Sequence, residues 1–216
     1  MKITKLGHCC LLIEDKNLRI LTDPGSYSTL QDSVNNIDLI LITHEHQDHF
    51  HVPSVKTVLQ NNPKARIITN TSVGFLLDKE GIKYEILEDG QSKTEKETLF
   101  EGIGTIHAEI YTSFPRVQNT GYFISNRLYY PGDAFHIPPK SPEILALPVA
   151  GPWMKISEAI DFALACKPKT AFPVHDGNLK DIGLEVTNRV SKMLLAPQKI
   201  HFQEMELGKT IDFDKI

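Results

Sequence analysis

Six residues carry most of the chemistry available to this chain: His44, Glu45, His46, Gln47, Asp48 and His49. They place three imidazoles close together, with Asp48 between the last two. Imidazole and carboxylate are the ligands that zinc, iron and manganese take from proteins. Neutral imidazole binds a cation without first releasing a proton. The run has no folding rationale, because it supplies no core residue and caps no obvious helix. The competing reading, a solvated histidine-rich loop, does not explain so dense a set of donors.

Spacing decides which donors can act together. The run follows the apolar stretch Ile37–Ile42, so it is expected on a loop beyond a strand. On a helix, positions i and i+2 point about 200° apart. In an extended segment they project to the same side. His44 and His46 can therefore grip one ion, with Asp48 and His49 beyond, placed for a second.

Two ions need further ligands, and three isolated residues at strand ends fit. His107 follows Gly104-Thr105-Ile106, Asp133 follows Tyr130-Pro131-Gly132, and His175 follows Phe172-Pro173-Val174. Taken alone, each is more often a hydrogen-bonded structural residue. Trp153, on the loop Pro148–Lys155, either lines the same site or anchors the core. Arg116 and Asn119 lie on a loop that could contact substrate.

The elements that must position these groups can be read from turn residues and apolar periodicity. Short strands are expected over residues 2–6, 9–14 and 18–22, then a buried strand over 37–42. A helix opens at Pro53, followed by a strand over 65–69 and a helix over 71–79 that stops at Gly81. Residues 82–131 are strand-rich. A strand over 144–147, a helix over 155–166, a strand over 170–174, a helix over 180–195 and a strand over 199–204 complete the chain. This order predicts an α/β fold with two sheets face to face and helices outside, a four-layer αβ/βα sandwich, in a single domain over 1–216.

Composition narrows the function classes. The chain has 216 residues, 41% hydrophobic, with a net charge of −4. That charge argues against a nucleic-acid or anionic-membrane surface, both of which need a basic field. Cys9, Cys10 and Cys166 lack zinc-knuckle spacing and read as buried thiols in a reducing compartment. The N-terminus turns polar at once and no run reaches membrane-span length. A cytoplasmic protein with no membrane partner is expected. Homo-oligomerisation is left open.

The chain resembles the metallo-β-lactamase superfamily. Its hallmark His-x-His-x-Asp-His stands intact at 44–49. A lone His (107), a Gly-Asp (132–133) and a Pro-x-His (173–175) follow in the family's order. Gly7-His8 and Leu21-Thr22-Asp23-Pro24 resemble the opening of the branch that includes ascorbate-6-phosphate lactonase-like proteins. The resemblance implies an αβ/βα sandwich in which His44, His46 and His107 hold one metal. Asp48, His49 and His175 hold a second, and Asp133 bridges them. His8 and Asp23 are implied as supports behind the ligands. Zinc is expected first, with manganese and iron also suited to the donors.

The implied chemistry is hydrolysis of a small ester, lactone or phosphodiester. A water shared by two cations loses a proton near neutral pH, and the bridging hydroxide attacks carbon or phosphorus. Asp48 is the implied catalytic residue, orienting that hydroxide. Phe50-His51-Val52-Pro53 replaces the glycine pair of many members, which argues against glyoxalase- or lactamase-type substrates. His46 stands where redox di-iron members carry a carboxylate, which argues against electron transfer. Two alternatives remain: a phosphodiesterase or nuclease-type member, and a metal-binding module without turnover. The acidic balance weighs against the nuclease.

Overall fold

The computed structural model describes all 216 residues. The first half builds one sheet from β1 (Lys2–Lys5), β2 (Leu11–Asp15), β3 (Leu18–Thr22), β4 (Leu39–Leu41), β5 (Arg66–Thr69) and β6 (Glu85–Ile86). Helices α1 (Val52–Asn61) and α2 (Thr71–Lys79) cross between its parallel strands. The second half builds another from β7 (Ser92–Glu95), β8 (Thr98–Ile103), β9 (Gly121–Ile124), β10 (Leu128–Tyr130), β11 (Ile144–Pro148), β12 (Thr170–Val174) and β13 (His201–Phe202). Its helices are α3 (Ile156–Cys166) and α4 (Asp181–Leu195). A last strand, β14 (Thr210–Asp212), returns to the first sheet beside β1.

Each sheet therefore has seven strands, in the orders β14-β1-β2-β3-β4-β5-β6 and β13-β12-β11-β10-β9-β8-β7. Both begin antiparallel and turn parallel, at β3–β4 in the first and β10–β11 in the second. Parallel pairing demands crossovers; those from β4 to β5, β5 to β6, β11 to β12 and β12 to β13 carry α1 to α4, while β3–β4 and β10–β11 are joined without an α-helix.

Three separate apolar clusters account for the layers. Ile20, Leu39 and Leu41 of the first sheet meet Phe100, Tyr122, Ile144 and Phe172 of the second in the central cluster. The alternate residues Leu21 and Ile40 face outward onto Val55, Val58, Val73 and Leu77 of α1 and α2. Leu145 and Leu147 face Ala159, Ile160 and Phe162 of α3. Strands buried on both faces need continuous apolar runs, as in Ile144–Leu147 and Leu39–Ile42. Three clusters between four layers make the αβ/βα sandwich expected from the element order. No helix is long and apolar enough to cross a membrane.

Local differences from the sequence expectations cluster at strand ends. The second strand begins at Leu11 rather than residue 9, and the last long segment, 199–204, is strand only at His201–Phe202. β14 was not anticipated. Its sequence is short and half polar, and it becomes a strand by pairing Thr210 and Ile211 with Thr4 and Ile3.

Candidate metal centre

The segment after β4 runs out of the sheet as an irregular loop, and α1 starts only at Val52. Gly25 makes room for it: a Cβ there would sit 1.7 Å from the Asp48 carbonyl oxygen. The loop brings His44 and His46 beside His107, their ligand atoms within 4.8 Å of one another. Asp48, His49, Asp133 and His175 form a neighbouring group within the same limit. All seven anticipated ligand residues thus converge at one end of the sandwich. Gly132 lets the chain turn there: its φ is +65°, and a Cβ would meet the Asn119 side chain at 2.3 Å.

Asp133 lies between the two groups. Its Oδ1 is 3.0 Å from His49 Nε2, and its Oδ2 is 2.8 Å from His175 Nε2 and 3.4 Å from His107 Nε2. These approaches are close but lack hydrogen-bond geometry. The Nε2 atoms of His44, His49, His107 and His175, with Asp133 Oδ1, are buried without a hydrogen-bond partner. Each such orphan costs about 1–3 kcal/mol, so five of them in two adjoining groups call for a partner outside the chain. A divalent cation accepts lone pairs from this donor set, and the residues fit it.

The ring orientations have visible causes. His49 Nδ1 donates to Asp23 Oδ2 at 2.7 Å. His107 Nδ1 donates to the Ala108 carbonyl at 2.6 Å. Thr43 Oγ1 donates to Asp23 Oδ2 at 2.8 Å, and so accepts from His44 Nδ1 at 3.0 Å. With Nδ1 occupied, each ring turns Nε2 and its lone pair inward. His46, half-buried, has no such partner.

Asp23 is the hub of this support. It also accepts from the Thr43 N–H at 2.7 Å and the Tyr130 hydroxyl at 2.7 Å. His8 supports the other side. Its Nδ1 accepts from the Gly177 N–H at 2.9 Å, and its Nε2 lies 3.3 Å from Asp48 Oδ2. Asp23 and His175 both hold left-handed backbone, φ +34° and +60°, a conformation costing non-glycine residues about 1–2 kcal/mol. His175 is pinned by its N–H to the His8 carbonyl at 2.9 Å and by the buried Lys5–Asp176 ion pair next door.

Electrostatics divide the site into rings held neutral by burial and rings that favour positive charge beside ionised carboxylates. Burial, then neighbouring His49, holds His44 well below the ordinary imidazole range. Burial and His107 lower His46 too. Burial opposes the charged forms of His49 and His175, yet Asp133 beside them raises both. Burial likewise opposes ionised Asp133, and His49 and His175 overcome it. Asp48 is shifted down in the same way by His175 and His8, against the cost of burial.

The remaining anticipated residues divide. Trp153 is 7% exposed, with its ring centroid 5.9 Å from that of His107 and 5.8 Å from that of His175. Arg116 is exposed and donates through Nε to the His107 carbonyl at 2.9 Å. Asn119 is a correction. It is fully buried, donating to the Pro131 carbonyl and accepting from the Asp133 N–H. Both ends of its amide are committed to shaping the Asp133 turn, so it cannot contact substrate. Thr43, Tyr130 and Lys5 were missed. None left a trace in the sequence: Lys5 shares its strand with the exposed Lys2, and nothing local tells the two apart.

Residues 2–175 match the beta-lactamase superfamily domain. Protein Rv0786c of Mycobacterium tuberculosis is 36% identical over 180 residues, 81% of this chain and 84% of that protein. The UPF0173 metal-dependent hydrolase SSO0099 of Saccharolobus solfataricus is 25% identical over 218 residues, 86% of this chain and 88% of its own. A solved structure from Parabacteroides distasonis, described as a metal-dependent hydrolase, aligns with a TM-score of 0.75 at 28% identity. It covers 95% of this chain and 92% of that one. Fold, donor cluster and relatives together define a metal-dependent hydrolase. The chain belongs to the beta-lactamase superfamily, on a metallo-β-lactamase fold.

Proposed function

We propose that this single-domain chain is a dinuclear hydrolase of a small ester, lactone or phosphodiester. His44, His46 and His107 hold one divalent ion, and Asp48, His49 and His175 hold another. Asp133 spans the two, and zinc is the ion the imidazole-rich set suits first. The observation that carries this reading is the position of Asp133, within 3.4 Å of ring nitrogens from both groups.

When bound, such a pair supplies Lewis acidity and an acidified water as nucleophile. The chain's own residues do the rest. Asp48 is the carboxylate of its group that retains some exposure, 21% of its side chain, so it can face a reacting water. His8 and His175 hold it ionised, able to orient that water and take its proton. Asp23 and Thr43 fix the His44 and His49 rings in advance, which limits reorganisation during the reaction.

The test is metal counting combined with a panel of lactones, phosphodiesters and thioesters, with and without chelator. Two ions per chain and chelator-sensitive turnover are expected. Chelator-resistant activity, or only trace metal in protein purified without chelator, overturns the reading.

A further inference from the structure

Trp153 carries a donor that the fold leaves unused. Its indole Nε1 is buried and has no hydrogen-bond partner, although a buried tryptophan usually finds one. The rest of the ring is well held. Its centroid is 5.1 Å from that of Phe135, which in turn packs on Phe162 at 4.9 Å. Packing therefore accounts for the indole's body and not for its N–H.

Gly151 lies between the indole and the donor cluster and brings no side chain there. A Cβ on Gly151 would lie 2.8 Å from Trp153 Nε1 and 3.2 Å from His175 Cε1. Any larger residue at 151 would crowd the space between indole and ligand ring. His175 Cε1 is bonded to Nε2, the atom 2.8 Å from Asp133. The indole also stands edge-on to both His107 and His175, at interplanar angles of 73° and 82°. It thus borders both ligand groups.

The structure assigns Trp153 Nε1–H as a fixed hydrogen-bond donor to an oxygen of the substrate, the carbonyl or phosphoryl oxygen on which negative charge grows. Gly151 leaves the Nε1 edge of the indole free of side-chain atoms. The inference rests on the dinuclear reading above and adds a substrate contact to it. A donor already in place and already desolvated strengthens as charge develops. It also selects substrates that present an oxygen there, because other ligands leave the N–H unpaired.

Trp153 is the only tryptophan in the chain, so emission from the protein reports on this residue. The experiment titrates zinc-loaded protein with inorganic phosphate, reading emission and calorimetric affinity with zinc content measured alongside. Phosphate should change the emission of the wild-type protein. Trp153→Phe should retain zinc and bind phosphate about tenfold more weakly, the factor expected for one hydrogen bond to a charged group. Gly151→Ala, which keeps the indole but sets a methyl group against its Nε1, should weaken phosphate at least as much and abolish the emission response. The assignment is overturned by wild-type emission indifferent to saturating phosphate, or by wild-type affinity in either variant with zinc in place. Should Trp153→Phe not fold, Gly151→Ala decides alone. Absence of zinc from the wild-type protein removes the dinuclear reading and this inference together. Normal zinc with unchanged phosphate affinity removes only this inference.

Discussion

The two donor groups are built differently. Behind His49 stands a buried network in which Asp23 binds a ligand ring, the Thr43 backbone and hydroxyl, and the Tyr130 hydroxyl. Behind His175 stand the His8 carbonyl and the Lys5–Asp176 pair. Lys5 on β1 and Tyr130 on β10 tie these partners to both sheets, and the others sit just beyond strand ends, so the second group takes its shape from folding itself. The first group has thinner support: His44 reaches Asp23 only through the Thr43 hydroxyl, His107 leans on the adjacent carbonyl of Ala108, and His46 on no hydrogen bond at all. Deep support makes a site preorganised, while thin support leaves a ring to be ordered by the ion it holds. The Asp48–His49–Asp133–His175 group should therefore bind tighter and be costlier to damage.

The largest expected effect comes from removing the residue the groups share. Asp133→Ala should lower metal content at both and reduce turnover by more than the 10- to 100-fold typical of losing a supporting partner. Circular dichroism should stay native, since Asn119 still holds the turn through the residue-133 backbone. Full activity in this variant would end the idea of a shared carboxylate. Next is Asp23→Ala, which touches no ion directly. It should weaken the ion of the second group by about 10–100-fold, and that of the first group less, because His44 meets Asp23 only through Thr43. It should also destabilise the metal-free protein by about 1–3 kcal/mol, because Tyr130 and Thr43 lose a buried acceptor. Metal titration and denaturant melts read the two effects separately. If the two ions weaken equally, the difference in support has no consequence for binding.

The same contrast explains what the sequence disclosed. His44, His46, Asp48 and His49 were legible because contiguous donors in an extended segment leave few geometries open. His107, Asp133 and His175 could be singled out because each is an isolated chemical residue at the end of an apolar strand. Their convergence depended on chain order resembling a known family. The four layers followed from apolar runs separated by helical periods. Depth was not legible. Asn119 reads as a polar loop residue, yet it is a buried amide, because burial depends on Pro131 and Asp133 folding over it. Tyr130 sits on an apolar strand like its neighbours, and nothing local marks its hydroxyl as a partner of Asp23, 107 positions away.

A smaller effect separates support from ligation. His46→Ala should loosen the first group's ion but leave the metal-free protein as stable as the wild type, within about 0.5 kcal/mol, because the ring is half-buried and has no partner. Asp23→Ala and His46→Ala should thus be distinguishable by melts of metal-free protein alone. A stability loss in His46→Ala equal to that of Asp23→Ala would erase the comparison.

That comparison of melts needs a pH at which groups remote from the site are silent, and Cys166 helps set its upper limit. The thiol lies among Phe162, Ala163 and Phe202, away from both donor groups. Burial pushes its pKa from 9.0 up to about 12. The fold therefore favours the neutral thiol. Below pH 9 both folded and unfolded chains keep the proton and the stability contribution is complete. As pH rises from 9 toward 12 the unfolded chain ionises and the folded chain does not, so stability drains away. The slope for one such group is at most about 1.4 kcal/mol per pH unit. Cys166→Ala should remove this component, so that its stability relative to wild type rises across that window and is flat below it. Parallel stability curves for the two proteins from pH 7 to 11 would show that the thiol is not shielded, and the melts could then be compared at higher pH.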